Sequence, residues 1–359
     1  MPNIYFRQLA LALSVAKINA KLTTLFLVSV FFCYQIPAQT SPLTYTFGTD
    51  TKFPTTTPTL ILPIAVDSDG DFFTSSTNAD NALIIKNTPA NGSYTTTLIQ
   101  GPFLFNNVNV VAQGPITLDG NGYIWWTNYA YVPPTGGQLI LGCCAGEVTA
   151  VNPNDTSESY VLPVPSVYAL AENPRIDWQP GPIAVNAAGN YVFVVNNYDG
   201  TLWLFIKTCQ LSDPSVCGWG DYSKIDTISG FGAGIAVDSN DNVYVPTTNP
   251  TPEIIEEVGE VVSGTLTFTR KIIPVTGLGA SALNQVQWSA GGIFVSDYLN
   301  SVVYELTLGS SGTYTQRTVG TCQSPAGIAY KSPDVYCLST TFDGSTATST
   351  VVAIPLFQR

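Results

Sequence analysis

Apolar and polar positions follow one short pattern that recurs six times along the chain. Each copy is an apolar run, a turn rich in Asp, Asn, Ser and Gly, and a second apolar run, as in GIAVDSNDNVYVPTT from Gly234. Two apolar runs separated by such a turn predict a β-hairpin. The position of the first isoleucine in each copy is occupied by Ile64, Ile116, Ile183, Ile235, Val286 and Ile328.

The spacing of these hairpins predicts a repeat architecture. Successive copies are 52, 67, 52, 51 and 42 residues apart, and a four-stranded propeller blade needs roughly 40 to 50 residues. A continuous apolar run and then a half-polar run follow the hairpins, which is typical of an inner strand and of an outer strand that meets water. We therefore predict an all-β fold, a six-bladed β-propeller of four-stranded antiparallel blades.

Two irregularities locate an insertion and the closure of the ring. The longest interval between hairpins, 67 residues, predicts an insertion between Tyr129 and Glu147, and that segment is rich in Gly and Pro. The last blade supplies only three strands, whereas the segment Leu43–Thr49 has the character of an outer strand. We expect this N-terminal strand to pair with the strand near Val351–Pro355 and close the ring, because an open ring would expose unpaired edges.

Residues 1–38 have the pattern of a signal peptide. Arg7, Lys17 and Lys21 precede the apolar run LTTLFLVSVFFCY, and Ala38 is a small residue suited to cleavage. The run is shorter than the about 20 residues of a membrane span, although an uncleaved anchor is the alternative. We expect a secreted protein, extracellular or periplasmic, whose residues 39–359 form one six-bladed propeller domain with no membrane association after cleavage.

The charge balance excludes several classes of partner. The chain has 13 Lys and Arg against 25 Asp and Glu, and removal of the leader, which carries three cations and no acid, leaves a net charge of about −15. Such a surface repels nucleic acid and anionic lipid. We therefore expect neither as a partner, and expect a monomer that binds a protein or a glycan.

Cysteine usage predicts disulfides. Six cysteines remain after the leader, an even number in an exported chain. Cys209 and Cys217 flank a short loop between two strands of the third blade, and we predict that they form a disulfide. Cys322 and Cys337 both lie in the last blade. The adjacent Cys143 and Cys144 lie inside the insertion, where they either form a strained ring with each other or pair with another loop. Six cysteines permit 15 connectivities.

The chain contains no histidine. This removes the usual general base, the usual catalytic triads and the commonest ligand of transition metals. Any catalysis would depend on carboxylates, Tyr, Lys, Ser or a hard metal held by oxygens.

The repeated phrases resemble the NHL family of propeller repeats, most clearly in SDYLNSVVYEL from Ser296 and GIAVDSNDNVYV from Gly234. Related six-bladed propellers include the senescence-marker and gluconolactonase group and the virginiamycin B lyase group, which hold a divalent metal in the central channel. The resemblance implies that the metal ligands of a lactonase would lie at the position just before each hairpin pattern, where the inner strand opens onto the central channel. We term this position the channel slot. In this chain it is occupied by Leu62, Gly114, Gly181, Ala233, Asn284 and Ala326.

The slot residues do not form a metal site. Only Asn284 has a side-chain oxygen, whereas a hard divalent cation takes six or more oxygens. The lyase group uses a catalytic histidine, which this chain lacks. The resemblance thus implies the architecture without either activity, and we expect no cofactor and no metal, with Asn284 bonded to backbone or water.

Two further motifs have ordinary structural explanations. Asp67, Asp69 and Asp71 look like part of a calcium loop, but Asn78 stands where an EF-hand has Glu, so a tight hairpin turn explains them better. Trp125 and Trp126 are adjacent in a predicted strand and should pack into the core on opposite sides.

A binding face is predicted where long loops emerge together. The loop ENPRIDWQPG before the third blade and the insertion should share one rim, and Arg, Trp and Tyr commonly anchor binding. A salt bridge between Arg175 and Asp177 is the alternative role for that pair. The candidate binding residues are Tyr129, Tyr131, Arg175, Asp177, Trp178, Asn284 and Asp297.

Three functions compete. The first is a secreted interaction module that binds through its loop-rich face. The second is a metal-dependent hydrolase or lyase with an unusual set of oxygen ligands. The third is a cofactor protein, since quinoprotein propellers have an adjacent cysteine pair beside their cofactor, as Cys143 and Cys144 are adjacent here.

Overall fold

The computed structural model of the protein describes residues 43–47, 64–78, 81–90, 93–100, 104–105, 108–131, 143–169, 177–210, 213–248, 251–263, 265–275, 283–289, 292–310, 312–342 and 347–356, in part by backbone only. All of them belong to the unit Pro42–Arg359. The predicted signal peptide, residues 1–38, lies outside the described residues.

Blades 1 to 3 follow one another along the chain, each with its first strand at the inner edge. Blade 1 consists of β2 (Ile64–Val66), β3 (Phe72–Asn78), β4 (Asn81–Ala90) and β5 (Ser93–Gln100). Blade 2 consists of β7 (Val108–Leu118), β8 (Ile124–Tyr131), β9 (Cys143–Asn152) and β10 (Asp155–Val161), with the two-residue β6 (Leu104–Phe105) added beside β7. Blade 3 consists of β11 (Pro180–Val185), β12 (Tyr191–Asn196), β13 (Thr201–Gln210) and β14 (Asp213–Thr227).

Blades 4 to 6 complete the ring of six, which confirms the predicted fold. Blade 4 consists of β15 (Ala236–Val237), β16 (Val243–Thr247), β17 (Glu253–Val262) and β18 (Thr265–Pro274). Blade 5 consists of β19 (Leu283–Ser289), β20 (Gly292–Asp297), β21 (Val302–Leu308) and β22 (Tyr314–Thr321). Blade 6 consists of β23 (Pro325–Lys331), β24 (Asp334–Phe342), β25 (Ala347–Pro355) and, as its outer strand, β1 (Leu43–Phe47).

The N-terminal strand closes the ring as predicted, but in a different register. Leu43 lies opposite Val351 and Phe47 opposite Ala347, so β1 pairs with the first half of β25 rather than with Val351–Pro355. Pro355 has no backbone N–H to donate, which makes that end of β25 the poorer partner.

Strands extend further into the connections of blade 2 than the sequence pattern indicates. Its inner strand begins at Val108, and the ladder with β8 shifts register between Ala112 and Ile116. Tyr131 pairs with Cys143, so Cys143 and Cys144 open strand β9 instead of lying in a loop. Helix α1 (Ser166–Ala169) is short, and within the described ranges no helix is long and apolar enough to cross a membrane.

The core is divided among the interfaces between blades. The inner strand of each blade contacts the inner strands of its two neighbours. The described residues form a buried apolar cluster at each of the six interfaces, including one in which Ile64 and Phe72 of blade 1 meet Leu338 and Val351 of blade 6. Because successive residues of a strand point to opposite sides, each sheet supplies two interfaces.

The tryptophan pair of β8 shows this alternation and confirms the prediction for it. Trp125 is buried among residues of blade 3, where its ring meets that of Trp219 at 5.1 Å. Trp126 is fully buried in the cluster shared with blade 1. Burying one such ring contributes on the order of 2 kcal/mol, so this dipeptide holds three consecutive blades together.

Candidate binding face

Connections between strands emerge on two opposite faces of the ring. In antiparallel blades the turns between strands one and two, and between three and four, lie on one face, which we term the turn face. The connections between strands two and three, and those leading to the next blade, lie on the other, the loop face. The amide of Gly146, near the start of β9, donates to the carbonyl of Trp178 at 3.3 Å, which brings the two predicted loop segments together on the loop face.

A buried amide organises the loop face of blade 3. Asn196 ends β12 with no exposed surface. Its Oδ1 accepts from the amides of Gln179 at 2.8 Å and Tyr198 at 3.3 Å, and its Nδ2 donates to the carbonyl of Asp177 at 2.8 Å and to Asp199 at 3.1 Å. One side chain therefore joins the β12–β13 turn to the connection that precedes β11.

A second set of bonds fastens helix α1 to the same turn. Asp199 Oδ1 accepts from the amide of Thr201 at 3.0 Å and from its hydroxyl at 2.6 Å, while Asp199 Oδ2 accepts from the Tyr168 hydroxyl at 2.8 Å. Tyr168 is buried, and this burial raises the pKa of its phenol. The turn, the helix and the strand entry thus form one hydrogen-bonded frame.

Apolar side chains project from this frame into solvent. Tyr198 is 55% exposed, Val167 is 60% exposed and Val164 is 38% exposed. We term these three residues the blade-3 patch. Exposed apolar side chains on a hydrogen-bonded frame are a feature of interaction surfaces, where aromatic anchors lie on a rigid support.

Blade 5 repeats the turn with the two polar residues exchanged. Asp297 occupies the place of Asn196, and Asn300 that of Asp199. Asp297 is fully buried and accepts from Asn300 through the amide at 3.1 Å and through Nδ2 at 2.7 Å. Its carboxylate therefore supports the turn, while Tyr298 and Leu299 beside it are 49% and 60% exposed.

The predicted binding residues differ in what they present. Trp178 is only 2% exposed and packs against Tyr168 at 5.6 Å and Phe205 at 6.1 Å, so its ring supports the loop face from beneath. Asp177 is half-buried, and its carbonyl is the group bound by Asn196.

Three other predicted binding residues are not described by side chain. Tyr129 and Tyr131 lie in β8 with only their backbone described, and Arg175 lies outside the described residues. The ion pair of Arg175 with Asp177 stays a prediction.

Asn284 bonds to backbone, as predicted. Its Oδ1 accepts from the amide of Ala233 at 3.2 Å and its Nδ2 donates to the carbonyl of Pro325 at 3.2 Å. The side chain therefore spans the inner strands of three successive blades, 4 to 6. Both ends of the amide are used in this bridge, which is a structural role.

Neighbouring polar side chains explain glycines at and beside the slot. A Cβ on Gly181 would lie 2.1 Å from Asn197 Oδ1, and one on Gly234 would lie 2.1 Å from Gln285 Oε1. Any larger residue would displace these side chains. Gly114 and Ala326 lie in strands β7 and β23, whereas Leu62 lies outside the described residues.

The acids of the turn face support hairpins. Asp67 Oδ1 accepts from the amides of Asp69 and Asp71, each at 2.9 Å, which is the tight turn predicted for this motif. Asp119 and Asp238 make the same pair of bonds in blades 2 and 4. Within the described ranges, no group of three or more Cys, Asp and Glu side chains is placed to hold a metal ion.

An acidic pair lies between blades 3 and 4. Glu257 of β17 is 2% exposed, and it shares a hydrogen bond with Asp226 of β14. Arg270 of β18 forms an ion pair with Asp226, donates to Glu257 Oε1 at 3.3 Å and donates to the carbonyl of Thr227 at 3.0 Å. Sequence reasoning missed this cluster, although the adjacent acids Glu256 and Glu257 between Ile255 and Val258 were a signal.

The two carboxyl groups of this cluster respond in opposite directions. Burial, followed by the hydrogen bond and charge of Asp226, raises the pKa of Glu257 from 4.5 to about 7 against the opposing effect of Arg270. Burial works against ionisation of Asp226 as well, but the bonds from Glu257 and Thr227 and the charge of Arg270 outweigh it and lower the pKa of Asp226. Between pH 4.5 and about 7 the pair therefore holds one proton, on Glu257, and releases it as the pH rises through about 7.

The predicted disulfide is present, together with a second one whose pairing the sequence left open. Cys209 and Cys217 face each other across β13 and β14 and are bonded, with a Cα–Cα separation of 3.9 Å. Cys322 is bonded to Cys337 of β24, with a Cα–Cα separation of 6.3 Å. The side chains of Cys143 and Cys144 lie outside the described part of the chain, so their pairing stays open.

No protein-family model matches the chain, and no curated protein matches it. Among solved structures, it is similar to a chain of the nidogen–laminin complex, with 13% identity over 80% of this chain and 89% of that chain and a TM-score of 0.53. A candidate 6-phosphogluconolactonase from Bacteroides uniformis has 13% identity over 88% of this chain and 98% of that chain, with a TM-score of 0.47. The PQQ-bound aldose sugar dehydrogenase from Streptomyces coelicolor has 9% identity over 88% and 99%, with a TM-score of 0.45.

These likenesses bear on fold and not on activity. The scores of the two enzymes are too low to support an argument, and at 13% identity the nidogen–laminin chain is informative about architecture alone. The order of the strands and this likeness together identify the protein as a six-bladed β-propeller.

Proposed function

We propose that the protein is a secreted, NHL-like binding module that engages its partner through the loop face. The observation that carries this proposal is the exposure of Tyr198, Tyr298 and Leu299 on turns that are held rigidly from below. Aromatic and apolar anchors on a preorganised support bind with little loss of conformational entropy. The disulfides are compatible with an oxidising, extracellular environment.

The chemistry of the candidate polar residues supports binding over catalysis. Asp199, Asp297 and Asn284 are engaged in bonds that hold turns and blades together. A general acid or base needs a proton-transfer group free to meet a substrate.

The test is site-specific photo-crosslinking in the medium of the cells that secrete the full chain. A benzophenone amino acid replaces Tyr198 or Tyr298 on the loop face, and the matched control replaces Val261, which is 66% exposed at the tip of the β17–β18 hairpin on the turn face. We expect a discrete adduct from the two loop-face positions, competed by unlabelled protein, and none from position 261. Adducts only from position 261, or equally from all three, would overturn the proposal.

The competing hydrolase or lyase function is tested by calorimetric titration with calcium, magnesium and manganese. The slot residues offer one side-chain oxygen, on Asn284, so we expect no stoichiometric binding. Micromolar binding at one site that is lost in Asn284→Ala would favour the enzyme function instead.

A further inference from the structure

Carboxylates border the blade-3 patch. Asp199 follows Tyr198 directly and is exposed, and Asp177 lies in the connection that Asn196 joins to the same turn. Every Lys and Arg that the structure describes lies within a strand, and none lies in a loop-face connection. Arg175, in the same connection as Asp177, is outside the described residues.

The two carboxylates differ in their availability. The oxygens of Asp199 already accept from Asn196, Thr201 and Tyr168, so this group contributes negative charge rather than a free acceptor. Among the described residues, Asn196 binds the Asp177 carbonyl and no side chain bonds to the Asp177 carboxylate. A cation that approached the patch would therefore meet two acidic groups, of which Asp199 is already bonded within the frame.

We propose that the blade-3 patch docks a cationic polypeptide segment that also carries apolar side chains. This inference rests on the proposed binding function and names the class of partner. Apolar groups of the segment pack against Val164 and Val167, and a lysine or arginine lies over the Tyr198 ring and beside Asp177. The net charge of −12 on the chain draws such a segment toward the surface.

The frame beneath the patch makes the site ready before the partner arrives. Turn and helix are joined through Asn196, Asp199 and Tyr168, which are bonded to one another or to shared groups. Little ordering of the protein is left to occur on binding, so most of the contact energy can contribute to affinity. The turn of blade 5 has exposed Tyr298 as well, but Asn300 there occupies the place of the exposed Asp199.

The experiment uses the full secreted chain and three sets of short synthetic peptides, which combine Lys with Leu and Phe, Glu with Leu and Phe, or Lys with Ser. Binding is measured by fluorescence anisotropy at low and high salt. We expect the cationic, apolar set to bind at least about tenfold more tightly than the other two. Its affinity should fall as salt is raised, because added ions screen the charges.

Variants locate the site. Tyr198→Ser and Asp177→Asn should each weaken binding of the cationic, apolar peptides by about tenfold. Val261→Ser, which removes an exposed apolar side chain from the turn face, should leave the affinity unchanged. Thermal melts confirm that each variant is folded.

Several results would overturn the inference. These are failure of all the peptides to bind, equal binding of the acidic set, or equal losses of affinity in Tyr198→Ser and Val261→Ser. Self-association of the protein that Tyr198→Ser abolishes would show that a second copy occupies the patch and would also refute it. If no peptide binds but position 198 still gives crosslinks, only the proposed class of partner is rejected. If neither loop-face position gives crosslinks, the proposed binding function itself is rejected.

Discussion

Replacement of Glu257 by glutamine should remove a pH-dependent loss of unfolding free energy that arises at the interface between blades 3 and 4. The raised pKa of about 7 means that the folded protein holds a proton on Glu257 which the unfolded chain, with a carboxyl pKa of 4.5, has already released. Between these two values folding takes up a proton, so stability falls as pH rises. Below pH 4.5 the group is protonated in both states and contributes nothing, and above pH 7 the penalty is complete.

The size of the penalty follows from the shift. At about 1.4 kcal/mol per pKa unit, the change from 4.5 to about 7 corresponds to at most about 3 kcal/mol of unfolding free energy. Asp226 acts in a separate window, because its lowered pKa adds stability that is lost only as pH falls below its ordinary value of 3.8. A decline in stability from mildly acidic to mildly alkaline pH therefore reports on Glu257.

Urea titrations followed by tryptophan fluorescence measure the effect. Glu257→Gln keeps a hydrogen-bond donor for Asp226 without a charge, so it should match the wild type near pH 5 and exceed its stability by about 2 to 3 kcal/mol near pH 8.5. Glu260→Gln is the matched control, because it removes an exposed carboxylate from the same strand and should leave the pH dependence unchanged. Parallel pH curves for wild type and Glu257→Gln would refute the reasoning.

A chain that begins at Phe53 lacks β1 and leaves β25 as an open edge, so its thermal midpoint should fall by at least about 5 °C; an unchanged midpoint in calorimetry counts against closure by β1. Cys209→Ser should cost about 2 to 3 kcal/mol in urea titrations, since the bond closes a short loop in the unfolded chain, and two free thiols in peptide maps of the native protein would contradict the disulfide. Gly120→Ala would place a Cβ 2.0 Å from the carbonyl oxygen of Ala187 in the next blade. It should cost about 1 to 3 kcal/mol, whereas Gly218→Ala, with nothing within 4 Å, should be nearly neutral; equal stabilities of the two variants would show that the blades yield at this contact.

Features that depend on neighbours along the chain could be predicted from the sequence. A hairpin is specified by its own turn, as Asp119 shows by bonding to amides two and four residues ahead. Cys209 and Cys217 are also brought together by local pairing, because they face each other in one hairpin. Even the burial of Trp125 and Trp126 on opposite sides follows from strand alternation alone.

Other features depended on where the ring placed each blade. The register of β1 could not be predicted, since a half-polar outer strand carries no apolar set that fixes its pairing. Asp297 was a candidate binding residue, but it is buried beneath its own turn, where the Asn300 amide donates to it. Trp178 looked like an exposed anchor, but the loop that carries it folds back onto the core of blade 3.

The sequence by itself determined the repeat, the number of blades and the closing strand, because each hairpin is encoded within about fifteen residues and its copies can be counted. The tertiary structure alone decided which polar groups are structural and which are exposed. Glu257 meets Asp226 thirty-one positions away only because two blades pack face to face. The blade-3 patch likewise arises because Asn196 and Tyr168, distant in sequence, bind the same turn. Such pairings are fixed by the packing of complete sheets, whose contacts between blades no local pattern of residues records.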